Sequence, residues 1–128
     1  MATENTVTIN VARAKFAMAH KGDITLPTIT HIGFGDGGHD LGGEPIPPTG
    51  NETQVPGEFI RKPIESMSLP ISTTLRIIGA LDFDEGIGKH VSAVGLYDSD
   101  GDLVALKTFS PKIKDADTRI EIQWDEKF

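Results

Sequence analysis

Ile32-Gly33-Phe34-Gly35-Asp36-Gly37-Gly38 is the stretch on which the fold turns, because two architectures compete for it. Gly33, Gly35 and Gly38 match G-x-G-x-x-G, and the residues before them alternate as a strand does, as a dinucleotide-binding fingerprint requires. That fingerprint also needs a helix directly afterwards, whose first N–H groups hold the pyrophosphate. The chain continues instead as His39-Asp40-Leu41-Gly42-Gly43-Glu44-Pro45-Ile46-Pro47-Pro48, where glycine and proline prevent a helix from starting. The nucleotide reading fails on its own requirement. The glycines mark a strand running into a long loop.

Upstream of the loop, Asp23 to Phe34 reads with period two: Ile24, Leu26, Ile32 and Phe34 on one face, Thr25, Pro27 and His31 on the other. Pro27 lacks an N–H and predicts an edge or a bulge. Further back, residues 8–20 predict a short amphipathic helix with Asn10 as N-cap and Gly22 beyond its end. Val11, Ala14 and Met18 share one face at helical spacing, broadened by Ala12, Phe16 and Ala19. Lys15, His20 and Lys21 suit the negative end of the helix dipole.

Downstream, residues 35–57 hold seven glycines and four prolines with few apolar anchors, a loop longer than ordinary connections and hence a functional candidate. Strand signals return over Glu58 to Leu69, punctuated by Pro63, and over Thr73 to Phe83, where Leu75, Ile77, Leu81 and Phe83 share a face. Asp84 to Gly88 reads as a turn. Val91 to Asp98 and Leu103 to Phe109 flank Ser99-Asp100-Gly101-Asp102, a hairpin signal in which Gly101 takes the left-handed conformation. Thr118 to Trp124 alternates and buries Ile120, Ile122 and Trp124 together. The expected fold is a single domain over residues 1–128, mainly β (α+β). Its core is an antiparallel β-sandwich or barrel-like sheet of about six strands over residues 23–124, with one N-terminal helix and a long Gly/Pro-rich loop.

The formal net charge of −7, from 19 acidic and 12 basic residues, disfavours nucleic acid as a partner. No apolar run approaches the roughly 20 residues that span a bilayer, so no membrane is expected. Met1-Ala2-Thr3-Glu4-Asn5 lacks the basic and apolar regions of a secretory signal. With no cysteine there is neither a disulfide framework nor a thiolate metal site. Synthesis in the cytoplasm is the expectation.

Asp98-Ser99-Asp100-Gly101-Asp102 resembles the start of a calcium loop, but Gly101 is fourth rather than sixth and Phe109 stands where Glu is needed. It reads as an acidic hairpin turn open to solvent. His31, Asp36, His39 and Asp40 form a denser cluster, in which His31 and His39 are the candidate metal ligands, within one chain or between copies about a symmetry axis. Their spacing matches no helix-borne motif, so neither metal nor cofactor is expected. No cysteine, no G-x-S-x-G elbow and no Ser–His–Asp context supplies a nucleophile, and no enzyme is expected. Asp82, Asp84 and Glu85 read as ordinary turn carboxylates, and Arg61-Lys62 as a solvated strand face.

Taken in order, an Ala-rich helix leads into Ile29-Thr30-His31-Ile32-Gly33-Phe34-Gly35-Asp36-Gly37-Gly38, then Pro45-Ile46-Pro47-Pro48, then Glu58-Phe59-Ile60-Arg61-Lys62-Pro63-Ile64, and later Val94-Gly95-Leu96-Tyr97-Asp98-Ser99-Asp100-Gly101-Asp102-Leu103-Val104-Ala105. Over roughly residues 7–109 this resembles the N-terminal domain of phage tail-collar fibre proteins, which attaches a tail fibre to the baseplate. The resemblance implies a structural role in the virion tail, other tail or baseplate proteins as partners, and a homo-oligomer, trimer or ring. On that basis Phe34, Gly35, Asp36, Gly37, Gly38, Leu41 and Ile46 are the expected interaction loop: the glycines allow close approach and Phe34, Leu41 and Ile46 supply apolar contact. The alternative is a small β-sandwich module binding carbohydrate or protein, with Tyr97 and Trp124 as its aromatic resources.

Overall fold

In the computed structural model, which describes residues 5–128, two antiparallel sheets pack face to face. In chain order the elements are β1 (Thr6–Thr8), α1 (Asn10–Lys21), β2 (Ile29–Gly35), β3 (Glu58–Pro63), β4 (Ser66–Ile71), β5 (Thr74–Leu81), β6 (His90–Asp98), β7 (Leu103–Ile113) and β8 (Ile120–Lys127). One sheet has five strands in the order β1-β7-β6-β2-β3 and the other three in the order β4-β5-β8. The antiparallel sandwich and its single helix are as the sequence predicts. The strands number eight rather than six, because β1 is too short to show a period and residues 58–69 divide in two.

That division is the main correction to the strand pattern. Glu58 to Leu69 is not one strand: β3 pairs with β2 in the first sheet, and β4 pairs with β5 in the second. Pro63, which cannot donate to a ladder, ends β3, and the chain crosses between sheets over Ile64 and Glu65. The strand expected from Asp23 begins only at Ile29, and Leu26 is exposed rather than on the core face. Phe83 lies past the end of β5 and is likewise exposed.

Alternation elsewhere places the core where expected. Ile32 pairs with Leu96 and Phe34 with Val94, and all four are fully buried against Ile77, Leu81 and Trp124 of the second sheet. The β6–β7 hairpin turns through Gly101 at φ +85°, the left-handed region that glycine enters without steric cost.

Helix α1 ends as predicted and begins differently. The Gly22 N–H donates to the Ala19 carbonyl at 3.1 Å and the Asp23 N–H to the Met18 carbonyl at 2.9 Å, closing the last turn. Asn10 is not the N-cap. Ile9 holds that position in extended conformation with no side-chain cap, while the Asn10 N–H donates to the Gly50 carbonyl and its Nδ2 to Asn51 Oδ1. The long loop therefore holds the helix N-terminus. The buried stripe is Ala12, Lys15, Phe16 and Ala19, whereas Val11, Ala14 and Met18 face outward. Among the described residues no helix is long and apolar enough to cross a membrane.

Candidate functional site

The long loop is built onto the domain rather than extending from it. β6 lies at the centre of the five-stranded sheet, and both its faces are buried. Its inner face meets the second sheet, and its outer face carries Ala93 and Tyr97, which pack with Ile9, Leu106 and the loop residue Val55. Val55 is fully buried and its N–H donates to the Tyr97 hydroxyl at 2.9 Å, so the end of the loop is pinned to β6. Val55 is the loop's apolar anchor, and its isolation among polar residues hid it from a periodicity argument.

The expected interaction residues divide accordingly. Phe34 is 0% exposed and belongs to the core, so its expected role as a partner contact is corrected: alternation with Ile32 puts it on the inner face. Gly35, Gly37 and Gly38 do allow close approach, but to the chain itself. A Cβ on Gly35 would lie 2.1 Å from the Pro56 carbonyl oxygen, one on Gly37 2.9 Å from the Gly57 nitrogen, and one on Gly38 2.3 Å from the Ser92 carbonyl oxygen. Asp36 is half-buried, with Lys89 Nζ at 3.9 Å. Leu41 and Ile46 are the exposed apolar side chains of the set. Leu41 is fully exposed on a turn that Asp40 organises by accepting the Gly42 and Glu44 N–H groups, and Ile46 is about half exposed.

The candidate histidines are not brought together. His31 Nδ1 lies 2.9 Å from Thr30 Oγ1 on β2, whereas His39 Nδ1 lies 2.7 Å from Ser92 Oγ, which also accepts the Gly38 N–H. Among the described residues, the carboxylates that converge are Asp98, Asp100 and Asp102 of the hairpin turn. Their common partner is Lys15 of α1.

The turn is exposed from Ser99 to Asp102, as expected, but Asp98 at its start is buried and the carboxylates are not bare. Lys15 Nζ bonds Asp98 Oδ2 at 2.7 Å, Asp100 Oδ2 at 3.0 Å and Asp102 Oδ2 at 2.8 Å. The Lys15 and Asp98 side chains are 11% and 3% exposed, while those of Asp100 and Asp102 stay about half in water. Asp98 Oδ1 meanwhile accepts the Asp100 and Asp102 N–H groups, so one carboxylate shapes the turn and seats the ammonium. Burial disfavours the charged lysine, but the hydrogen bonds to Asp102, Asp98 and Asp100 outweigh it and hold its pKa well above the ordinary value. Lys15 thus stitches α1 to the β6–β7 turn. Its place at i+3 from Ala12 on the buried stripe was the available signal, because a charge there needs a partner.

Several other charged residues are also paired. Arg61 is not merely solvated: its guanidinium lies 3.5 Å above the Tyr97 ring centre and bonds Glu58 Oε1 at 2.9 Å. Burial and the hydrogen bond to Glu58 push the Tyr97 phenol up to about 12. Lys62 bonds Glu85, while Arg119 spans Asp82, Glu65 and Glu121, so these carboxylates sit in ion pairs rather than in a bare turn. Tyr97 and Trp124 are both buried, as the alternation of Trp124 predicts, and neither offers a ring face to a sugar.

Compared with known proteins, the chain matches no family model, no curated protein and no solved structure.

Proposed function

We propose that this domain is a non-catalytic structural component of a phage or prophage tail, forming the collar or base by which a tail fibre attaches to the baseplate. One observation carries the reading. The two sequence marks of the resemblance, Gly35-Asp36-Gly37-Gly38 and Gly95-Leu96-Tyr97-Asp98, lie about sixty residues apart yet occupy neighbouring paired strands. Gly33 faces Gly95, Phe34 faces Val94, and the Gly38 N–H reaches Ser92 Oγ at 2.9 Å. Both marks therefore belong to one folding unit, in which the hairpin strand supports the loop.

In this reading the partners are other tail or baseplate proteins and further copies of the chain, as a trimer or ring, within the virion tail. Leu41 and Ile46 are the loop's contacts, since they are its exposed apolar side chains. Antibody against the domain, imaged on tail particles with gold, should label the baseplate end. Particles that carry the protein elsewhere, or not at all, would overturn the assignment. Sedimentation should show a trimer or ring whose assembly weakens in Leu41→Ser, with the melting temperature unchanged. A monomer up to about 100 µM, well above the micromolar range of ordinary interfaces, would remove self-association from the proposal.

A further inference from the structure

A groove of about 330 Å³ opens between the sheets beside α1, at the end of the sandwich marked by the Asp98 turn. Its walls are mostly apolar, with Phe16, Leu26, Ile29, Met67, Leu75 and Phe128 among them. Its charged side chains balance, Lys15 and Lys127 against Asp98 and Glu126. Three of them are engaged within the domain, since Lys15 bonds Asp98 and Glu126 accepts the Trp124 indole N–H at 2.6 Å. Of the four only Lys127 is exposed. The groove therefore suits an apolar occupant, and the charge it presents to an approaching surface is positive.

The chain displays such an occupant at its other end. β6 runs from His90 to Asp98, nine residues at about 3.3 Å each, so its ends lie about 26 Å apart. The groove is at the Asp98 end, and the turn from Asp40 to Gly43 is at the opposite end, beside His90 and Pro111. Leu41 on this turn is the most exposed large apolar side chain among the described residues. The turn is held in place. Asp40 Oδ1 accepts the Gly42 and Glu44 N–H groups at 2.9 and 3.0 Å, the Gly43 N–H donates to the Asp40 carbonyl at 3.0 Å, and Thr108 Oγ1 of β7 donates to the Ile46 carbonyl at 2.9 Å. A side chain displayed on a held turn loses little backbone freedom on docking. The turn is also acidic, through Asp40 and the exposed Glu44.

We propose that Leu41 of one copy seats in this groove of the next, with the acidic turn toward Lys127. Copies of a chain with net charge −7 repel one another over most of their surface, and this pairing sets an acidic turn against an exposed lysine. The inference names the surface that Leu41 meets, and it rests on the self-association proposed above rather than on the baseplate assignment. Knob and groove are different surfaces at opposite ends, so the contact is heterologous. It closes as a ring, a trimer included, where the rotation between copies allows, and otherwise extends as a filament.

The test uses two variants of the full chain, followed by sedimentation alone and mixed. Leu41→Asp spoils the knob and keeps the groove, whereas Leu26→Asp, at an exposed wall position, spoils the groove and keeps the knob. Each variant alone should be a monomer. Their equimolar mixture should give a 1:1 dimer and nothing larger, because one intact knob and one intact groove remain, and this recovery also shows that both variants fold. A mixture that stays monomeric, or that regains the full assembly, would overturn the proposal. So would Leu26→Asp assembling as wild type does, an outcome that leaves Leu41 as a contact for another surface. A wild-type monomer up to about 100 µM would overturn both this contact and the self-association, and would leave the baseplate assignment to the gold labelling.

Discussion

The two sheets are covered to very different extents. In the five-stranded sheet the central strand β6 is buried from Val91 to Asp98, whereas in the three-stranded sheet the edge strand β4 is exposed along its whole length. The difference does not come from composition alone, since β4 carries Met67, Leu69 and Ile71 in the open. It comes from what the chain lays over each sheet. The loop at residues 35–57 covers the outer face of the first through Val55, and nothing comparable covers β4 among the described residues. A Gly/Pro-rich segment can thus be a packed layer, and a regular strand can be the surface left for others.

The sharpest way to break this comparison is Phe34→Ala. A core side chain between the sheets costs about 4 kcal/mol when truncated, in the range for buried phenylalanine. Urea denaturation giving under about 1 kcal/mol would return Phe34 to the loop's surface. Lys15→Met comes next. Removing the ammonium leaves Asp98 buried without its cation, and about 3 kcal/mol is expected, the low end for a broken buried pair because Asp100 and Asp102 remain hydrated. Hydrogen exchange should then rise in α1 and the 98–102 turn before it rises in β2.

Tyr97→Phe tests how the loop is fastened to the first sheet. Removing the hydroxyl strands the buried Val55 N–H and is expected to cost about 2 kcal/mol. Because the folded phenol titrates above its unfolded value, its contribution is fully present below about pH 10 and is lost as pH rises toward 12. Stability against pH should fall over that window in wild type and lack this phase in Tyr97→Phe. Glu126→Gln, in the second sheet, has the smallest effect and the opposite sign, on the order of 0.5 kcal/mol of added stability at pH 7. Its carboxyl also titrates above its unfolded value, so wild type carries the associated stability below about pH 4.5 and loses it as pH rises through the folded value. Thermal melts should therefore differ at pH 7 and converge at pH 4.

Local rules made much of the fold legible. Ile32 and Phe34 alternate onto the core, Trp124 follows Ile120 and Ile122 inward, Gly22 closes the helix, and Gly101 turns the hairpin, each by steric or periodic preference within a few residues. The site was less legible because its contacts are distant in sequence. Lys15 meets Asp98 across 83 residues, and Val55 meets Tyr97 across 42. Gly35, Gly37 and Gly38 announce a close approach, but the residue type does not say whether chain or partner approaches.

By itself, then, the sequence determined a β-rich domain with a helix, a hairpin and a glycine-rich loop, because period, turn chemistry and the absence of a helix after Gly38 are properties of neighbouring residues. Only the tertiary structure decided that the loop is a layer of the fold, that the acidic turn is closed by a lysine, and that Glu126 faces an apolar groove. Those outcomes depend on which strands pair and which faces meet, and the packing of two sheets fixes both at once.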